Sequence, residues 1–169
     1  METNANLVKI FEYALNQEKT GMSFFQTSLE RMGVGAAVSA FQRLIAEEQR
    51  HIDFISSIIR DLKSGQEIGI GDLAPETIAP TNYFDERSKK EFLEECVQGS
   101  MVPDVTIFNT AWLIERDLSE FYANMSEKTT GRASKALSML SAWEKEHEKF
   151  FKEYRDKLSE VYSRMPWGG

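Results

Sequence analysis

The sequence predicts an all-α chain folded as a bundle of four long helices. Apolar residues recur at spacings of three and four over four extended stretches. No stretch alternates apolar and polar residues as a half-buried strand would, and only four Pro interrupt 169 residues. The second half of the chain also repeats the pattern of the first.

Length and composition set the frame. A chain of 169 residues is expected to form one domain over residues 1–169, with enough material for a sizeable core. The hydrophobic share of 41% and charged share of 28% are ordinary for a globular protein, and the net charge of -7 argues against nucleic acid or an anionic membrane surface as partner. One cysteine, Cys96, excludes an internal disulfide and any Cys-based zinc or iron–sulfur site within one chain, and an unpaired thiol fits a reducing cytoplasm. Met1 to Ile10 lacks the pattern of a signal peptide, and no apolar run approaches the roughly 18 to 20 residues of a membrane span. The expected location is therefore cytoplasmic.

The first helix is read over residues 4–32, with Leu7, Phe11, Ala14, Glu18, Met22, Phe25 and Leu29 on its inner line. Gly33-Val34-Gly35 allows a tight reversal. A second helix spans 36–63, with Phe41, Leu44, Glu48, Ile55, Ile59 and Leu62 inward, and Gly65 ends it. Residues 65–102 have the composition of a connection, carrying a short helix at about 85–98, and are long enough to return along the bundle as a crossover. Pro103-Asp104 starts the third helix, whose inner line is Phe108, Ala111, Glu115, Leu118, Tyr122 and Met125. After the turn Thr129-Thr130-Gly131, a fourth helix runs over 132–163 with Leu137, Leu140, Glu144, His147, Phe151, Tyr154 and Leu158 inward. The tail, 164–169, leaves the helix at Pro166 and carries Trp167.

Carboxylates in the middle of apolar stripes are expensive unless something pairs with them. Glu48 and His51, three residues apart, share a helix face and can grip one cation from one side. The only other histidine, His147, also has a Glu three residues before it, Glu144. With 20 Glu in 169 residues, both histidines would meet that condition by chance roughly one time in seventy. Glu115 follows Glu18 by 97 residues, while Glu144 and His147 follow Glu48 and His51 by 96. One helical hairpin carrying Glu, then Glu-x-x-His, thus occurs twice, which gives a bundle with six ligands pointing inward. Carboxylate and imidazole together suit Fe, Mn and Zn without choosing among them. Glu47 and Glu146, turned away from Glu48 and Glu144 on the helical wheel, are expected in solvent. With no cation bound, the four core Glu are expected to raise one another's pKa, so that stability falls as pH rises.

The constellation resembles the ferritin-like di-iron carboxylate proteins and, within them, the rubrerythrin-like branch, over the four long helices. That resemblance implies two iron ions (Mn or Zn being alternatives), with Glu48 and Glu144 bridging, Glu18 and Glu115 as terminal ligands, and His51 and His147 supplying one nitrogen each. It places Tyr122 near the metals. It implies an up-down-up-down ligand set on a left-handed bundle with one long crossover. The implied activity is an oxidoreductase that oxidises ferrous iron with dioxygen or hydrogen peroxide, served by an external electron donor, with a homodimer as the assembly exposed bundle faces often form. Iron binding or storage without rapid turnover, and a structural zinc site, are the alternatives. The sequence departs from rubrerythrins in three places: a four-Cys rubredoxin module has no room with one Cys, Leu118 stands where they carry an extra Glu, and Phe25 stands where a second Tyr is expected.

Overall fold

The computed structural model describes residues 3–31, 36–70 and 105–164. These form four helices and no strand: α1 (Asn4–Arg31), α2 (Ala36–Lys63), α3 (Val105–Lys128) and α4 (Gly131–Arg164). The Gly33-Val34-Gly35 reversal, the short helix at 85–98, Cys96, the Pro103 helix start and the Trp167 tail all lie outside the described residues.

The helix ends follow from local chemistry. Thr3 O accepts from the amides of Asn6 and Leu7 and opens α1. Gly65 adopts φ 71° and closes α2, with its amide reaching Leu62 O at 3.2 Å and the Gln66 amide reaching Asp61 O at 2.8 Å. These paired bonds satisfy carbonyls that the helix end would leave bare, and the left-handed turn they need suits Gly.

The inner lines read from the sequence are the buried ones. Phe11, Ala14, Phe25, Phe41, Leu44, Ile55, Phe108, Ala111, Leu137, Leu140, Phe151 and Tyr154 are all buried, whereas Leu7, Leu29 and Met125 are only half-buried and the Leu158 side chain lies outside the described residues. They form two apolar clusters at different levels. One gathers Phe11, Ala14, Phe54 to Leu62, Leu118, Tyr122, and Ala133 to Trp143. The other gathers Phe25, Phe41, Leu44, Phe108, Ala111, Phe150, Phe151 and Tyr154. On every helix the acidic and imidazole residues fall between the two: Glu18 on α1, Glu48 and His51 on α2, Glu115 on α3, Glu144 and His147 on α4.

The same levels give the helix directions. α1 and α4 run from the first cluster to the second; α2 and α3 run from the second to the first. The order is therefore up-down-down-up, and the up-down-up-down order expected from sequence is corrected. The hairpin contacts agree, with Lys63 Nζ on Glu12 Oε1 at 2.7 Å between α1 and α2. Ser119 and Ser141 exchange hydroxyl-to-carbonyl bonds between α3 and α4. Because α2 and α3 run the same way, the chain must return the length of the bundle between them, which is why so long a connection separates them. The two hairpins approach closely at Gly21, where a Cβ would lie 3.3 Å from Ile114 Cγ2. No helix among the described residues is long and apolar enough to cross a membrane.

Phe151 is the hub of the second cluster. Its ring stacks on Phe25 at 6.0 Å and 14°, and meets Phe41, Phe108 and Phe150 at 5.8, 6.1 and 5.3 Å. Phe151→Ala is expected to destabilise the fold by about 3–5 kcal/mol, the range for emptying a buried aromatic site. Urea unfolding of both proteins checks it, and a loss below about 1 kcal/mol would show that this layer is not close-packed.

Candidate metal centre

All six residues singled out in the sequence meet in the layer between the clusters, each buried. Helical phase puts them there: on α2, Leu44, Glu48, His51 and Ile55 share one side, and on α4, Leu140, Glu144, His147 and Phe151 do. The ligand atoms of Glu18, Glu48, His51 and Glu144 lie within 4.8 Å of one another. So do those of Glu48, Glu115, Glu144 and His147. Glu48 and Glu144 belong to both groups.

Both imidazoles face the cluster through Nδ1. His51 Nδ1 is 2.7 Å from Glu144 Oε1, 3.6 Å from Glu48 Oε2 and 3.9 Å from Glu18 Oε1. His147 Nδ1 is 3.1 Å from Glu48 Oε1, 3.3 Å from Glu144 Oε2 and 3.8 Å from Glu115 Oε1. The two rings lie 5.6 Å apart and nearly parallel, at 18°. Tyr122 donates its hydroxyl proton to Glu18 Oε1 at 2.5 Å.

One residue departs from the sequence reading. Glu47, expected in solvent, is 6% exposed and accepts from His147 Nε2 at 2.7 Å. A carboxylate there holds the proton on Nε2 and aims Nδ1 at the other acids. A signal was present: Glu47 and His51 are four apart and so share a face of α2, although Glu47 and Glu48 do not. Glu146 does keep its expected place at the surface, beside Lys149 at 3.4 Å. Trp143, unremarked in the sequence, stacks on His51 at 5.2 Å and 20°.

The arrangement fits divalent cations. Six buried carboxylate oxygens, on Glu18, Glu48, Glu115 and Glu144, have no hydrogen-bond partner among the described residues. Bare acceptors at that density in an apolar interior are sustained by positive charge. Oxygen and imidazole nitrogen donors in two groups of four suit a pair of first-row divalent ions.

A family model for rubrerythrin matches residues 9–155. The chain belongs to the rubrerythrin family. No curated protein and no solved structure matches it.

The protonation pattern differs from four equally perturbed acids. Burial lifts Glu18 and Glu115 well above the usual 4.5, and the charges of Glu144 and Glu48 add to it. Glu48 and Glu144 are instead lowered. Burial pushes both up, and Glu144 pushes Glu48 further, but the His51 charge and contacts with both imidazoles outweigh this. The correction has a simple cause: the two central acids touch both imidazoles, the outer two do not. Burial alone would lower His51, yet Glu144 and Glu48 raise it from 6.5 to about 9. His147 is likewise raised against its burial, by Glu115, Glu144, Glu47 and Glu48. Burial and the Glu18 charge keep Tyr122 a neutral donor, its pKa well above 10.

The pH dependence of chelator-stripped protein follows. The raised His51 stabilises fully below 6.5, and that stabilisation is lost as pH rises through about 9. Glu18, Glu115 and His147, also raised, have the same sign. The lowered Glu48 and Glu144 contribute above 4.5 and lose that contribution as pH falls through their folded values. Thermal melting of stripped protein is therefore expected to be highest near pH 4.5 and to decline from there toward 9, more steeply above 6.5. A melting temperature constant or rising from 6.5 to 9 would contradict this charge pattern.

Proposed function

We propose that the protein is a di-iron oxidoreductase that oxidises ferrous iron with hydrogen peroxide or dioxygen. The supporting observation is the pair of four-residue groups sharing Glu48 and Glu144 inside an apolar bundle. Glu18 and His51 would serve one ion as its own ligands, Glu115 and His147 the other, and Glu48 and Glu144 would bridge both. Two ferrous ions bound there would supply one electron each, enough with two protons to reduce one peroxide to two waters.

The chain's own residues set the conditions for that chemistry. Phe25, Phe41, Phe108 and Phe151 on one side, and Leu118, Leu137 and Leu140 on the other, exclude bulk water from the layer. Tyr122 fixes the orientation of Glu18 through its hydroxyl and stays protonated while doing so. Glu47 fixes the ring of His147. Leu118 is buried and offers no carboxylate where rubrerythrins are expected to carry one, so among the described residues the acids of the layer are Glu18, Glu48, Glu115 and Glu144, with Glu47 behind them. These 169 residues carry one Cys, so they hold no four-Cys module of their own to return electrons to the site.

Elemental analysis of protein loaded with Fe2+ under anaerobic conditions is expected to give two ions per chain, and stopped-flow addition of peroxide to oxidise both. Glu48→Ala and Glu144→Ala are each expected to deplete both positions. Glu146→Ala, a surface change, should shift stability by no more than a few tenths of a kcal/mol and leave the iron count intact. Two ions retained in both bridge variants would refute the ligand assignment. Loaded iron that peroxide leaves ferrous would refute the oxidoreductase reading.

A further inference from the structure

The doubled hairpin is symmetric in its six metal-capable residues and asymmetric just outside them. By the repeat spacing, Glu47 on α2 corresponds to Trp143 on α4, and Phe25 on α1 to Tyr122 on α3. His147 therefore has a carboxylate behind it at 2.7 Å. His51 has an indole stacked on its face at 5.2 Å, and among the described residues its hydrogen bonding runs through Nδ1 alone. The terminal acids differ in the opposite place. Glu18 Oε1 accepts the Tyr122 proton, whereas among the described residues neither oxygen of Glu115 has a hydrogen-bond partner.

Both differences act in one direction. An acceptor on Nε2–H pushes electron density toward Nδ1 and places another negative charge beside the ion that Nδ1 would hold. A donor on a carboxylate oxygen draws density from it and weakens it as a ligand. The Glu115 and His147 pair carries the strengthening contact and lacks the weakening one. The Glu18 and His51 pair is the reverse.

Resting on the di-metal reading above, we propose that the two metal positions are unequal: the Glu115–His147 position binds first and more tightly, and the Glu18–His51 position is the exchangeable one. Glu47 is the positioning residue that sets the order. Occupancy, rather than turnover, is what it controls.

The probe is Co2+, added anaerobically to chelator-stripped full-length protein at one equivalent, with anomalous scattering from crystals reporting the occupancy of each position. The Glu115–His147 position is expected to hold most of the metal. At two equivalents both positions fill. Glu47→Gln keeps the shape of the side chain and removes its charge, and is expected to weaken the first binding step by roughly 10–100-fold in calorimetric titration, the usual effect of losing an outer partner of a metal-binding imidazole. At one equivalent the same variant should shift occupancy toward Glu18–His51. A merely structural role for Glu47 would weaken both positions alike and leave their ratio unchanged, which would overturn the assignment. Equal occupancy in the unaltered protein at one equivalent, or filling of Glu18–His51 first, overturns the proposal while leaving a two-metal site standing. Failure of Co2+ to enter the cluster at all would overturn the di-metal reading itself, and this proposal with it.

Discussion

The structure turns on a layer of acid held inside oil. Glu18, Glu48, Glu115 and Glu144 are essentially without solvent exposure, and two imidazoles are the cationic groups in direct contact with them. An isolated buried carboxylate ionises only at a large desolvation cost, and four together repel one another as well. The cluster resolves this by splitting into two kinds of acid. Contact with the histidines lowers the pKa of the central pair, while burial and the neighbouring charges raise that of the outer pair. A pair of divalent cations would neutralise the same groups more completely, since it would also satisfy oxygens that have no hydrogen bond. The rest of the bundle is the frame that makes such a layer possible. Apolar clusters above and below remove water, and rigid helices prevent the acids from swinging out to meet it.

Much of this was legible in the sequence because a helix converts spacing into direction with little ambiguity. Glu48 and His51, or Glu144 and His147, could share a target only on one helix face, and the 96- and 97-residue repeat supplied the second half of the site. Helix ends were legible too: the second helix, read over about 36 to 63, spans Ala36–Lys63, and Gly65 gives a local reason for α2 to stop. Helix direction was less so. Spacing says which face is inward but nothing about which end is up, and the up-down-down-up order emerges only when the apolar levels of all four helices are aligned.

Glu47 shows where one-helix reasoning fails. Measured from Glu48 it points about 100° away, and that angle suggests solvent. Measured from His51, four residues on, it is turned by only about 40°, and that face looks across to α4. Its partner, His147, is 100 residues away in sequence, and nothing local announces the pairing. The split of the carboxylate pKa values was illegible for a related reason. It depends on which acids touch both imidazoles, a property of three-dimensional contact that residue type and spacing do not encode.

The outer contacts also explain how a repeated hairpin yields a site with distinct sides. The two copies preserve the inward Glu, Glu and His, which fixes the positions of the metal-capable atoms to near symmetry. They differ where each inward residue leans on its neighbour: a carboxylate against an indole behind the imidazoles, a phenol against a phenyl beside the terminal acids. They differ again one turn past those acids, where Gly21 lets α1 approach Ile114 on α3 and Leu118 fills space with its side chain. Glu48 and Glu144, the acids common to both groups, come from different hairpins. A cation shared between them would therefore tie the two halves together at the level where the apolar clusters are interrupted. The layer that most opposes the hydrophobic core would then become the place where the bundle is most firmly joined.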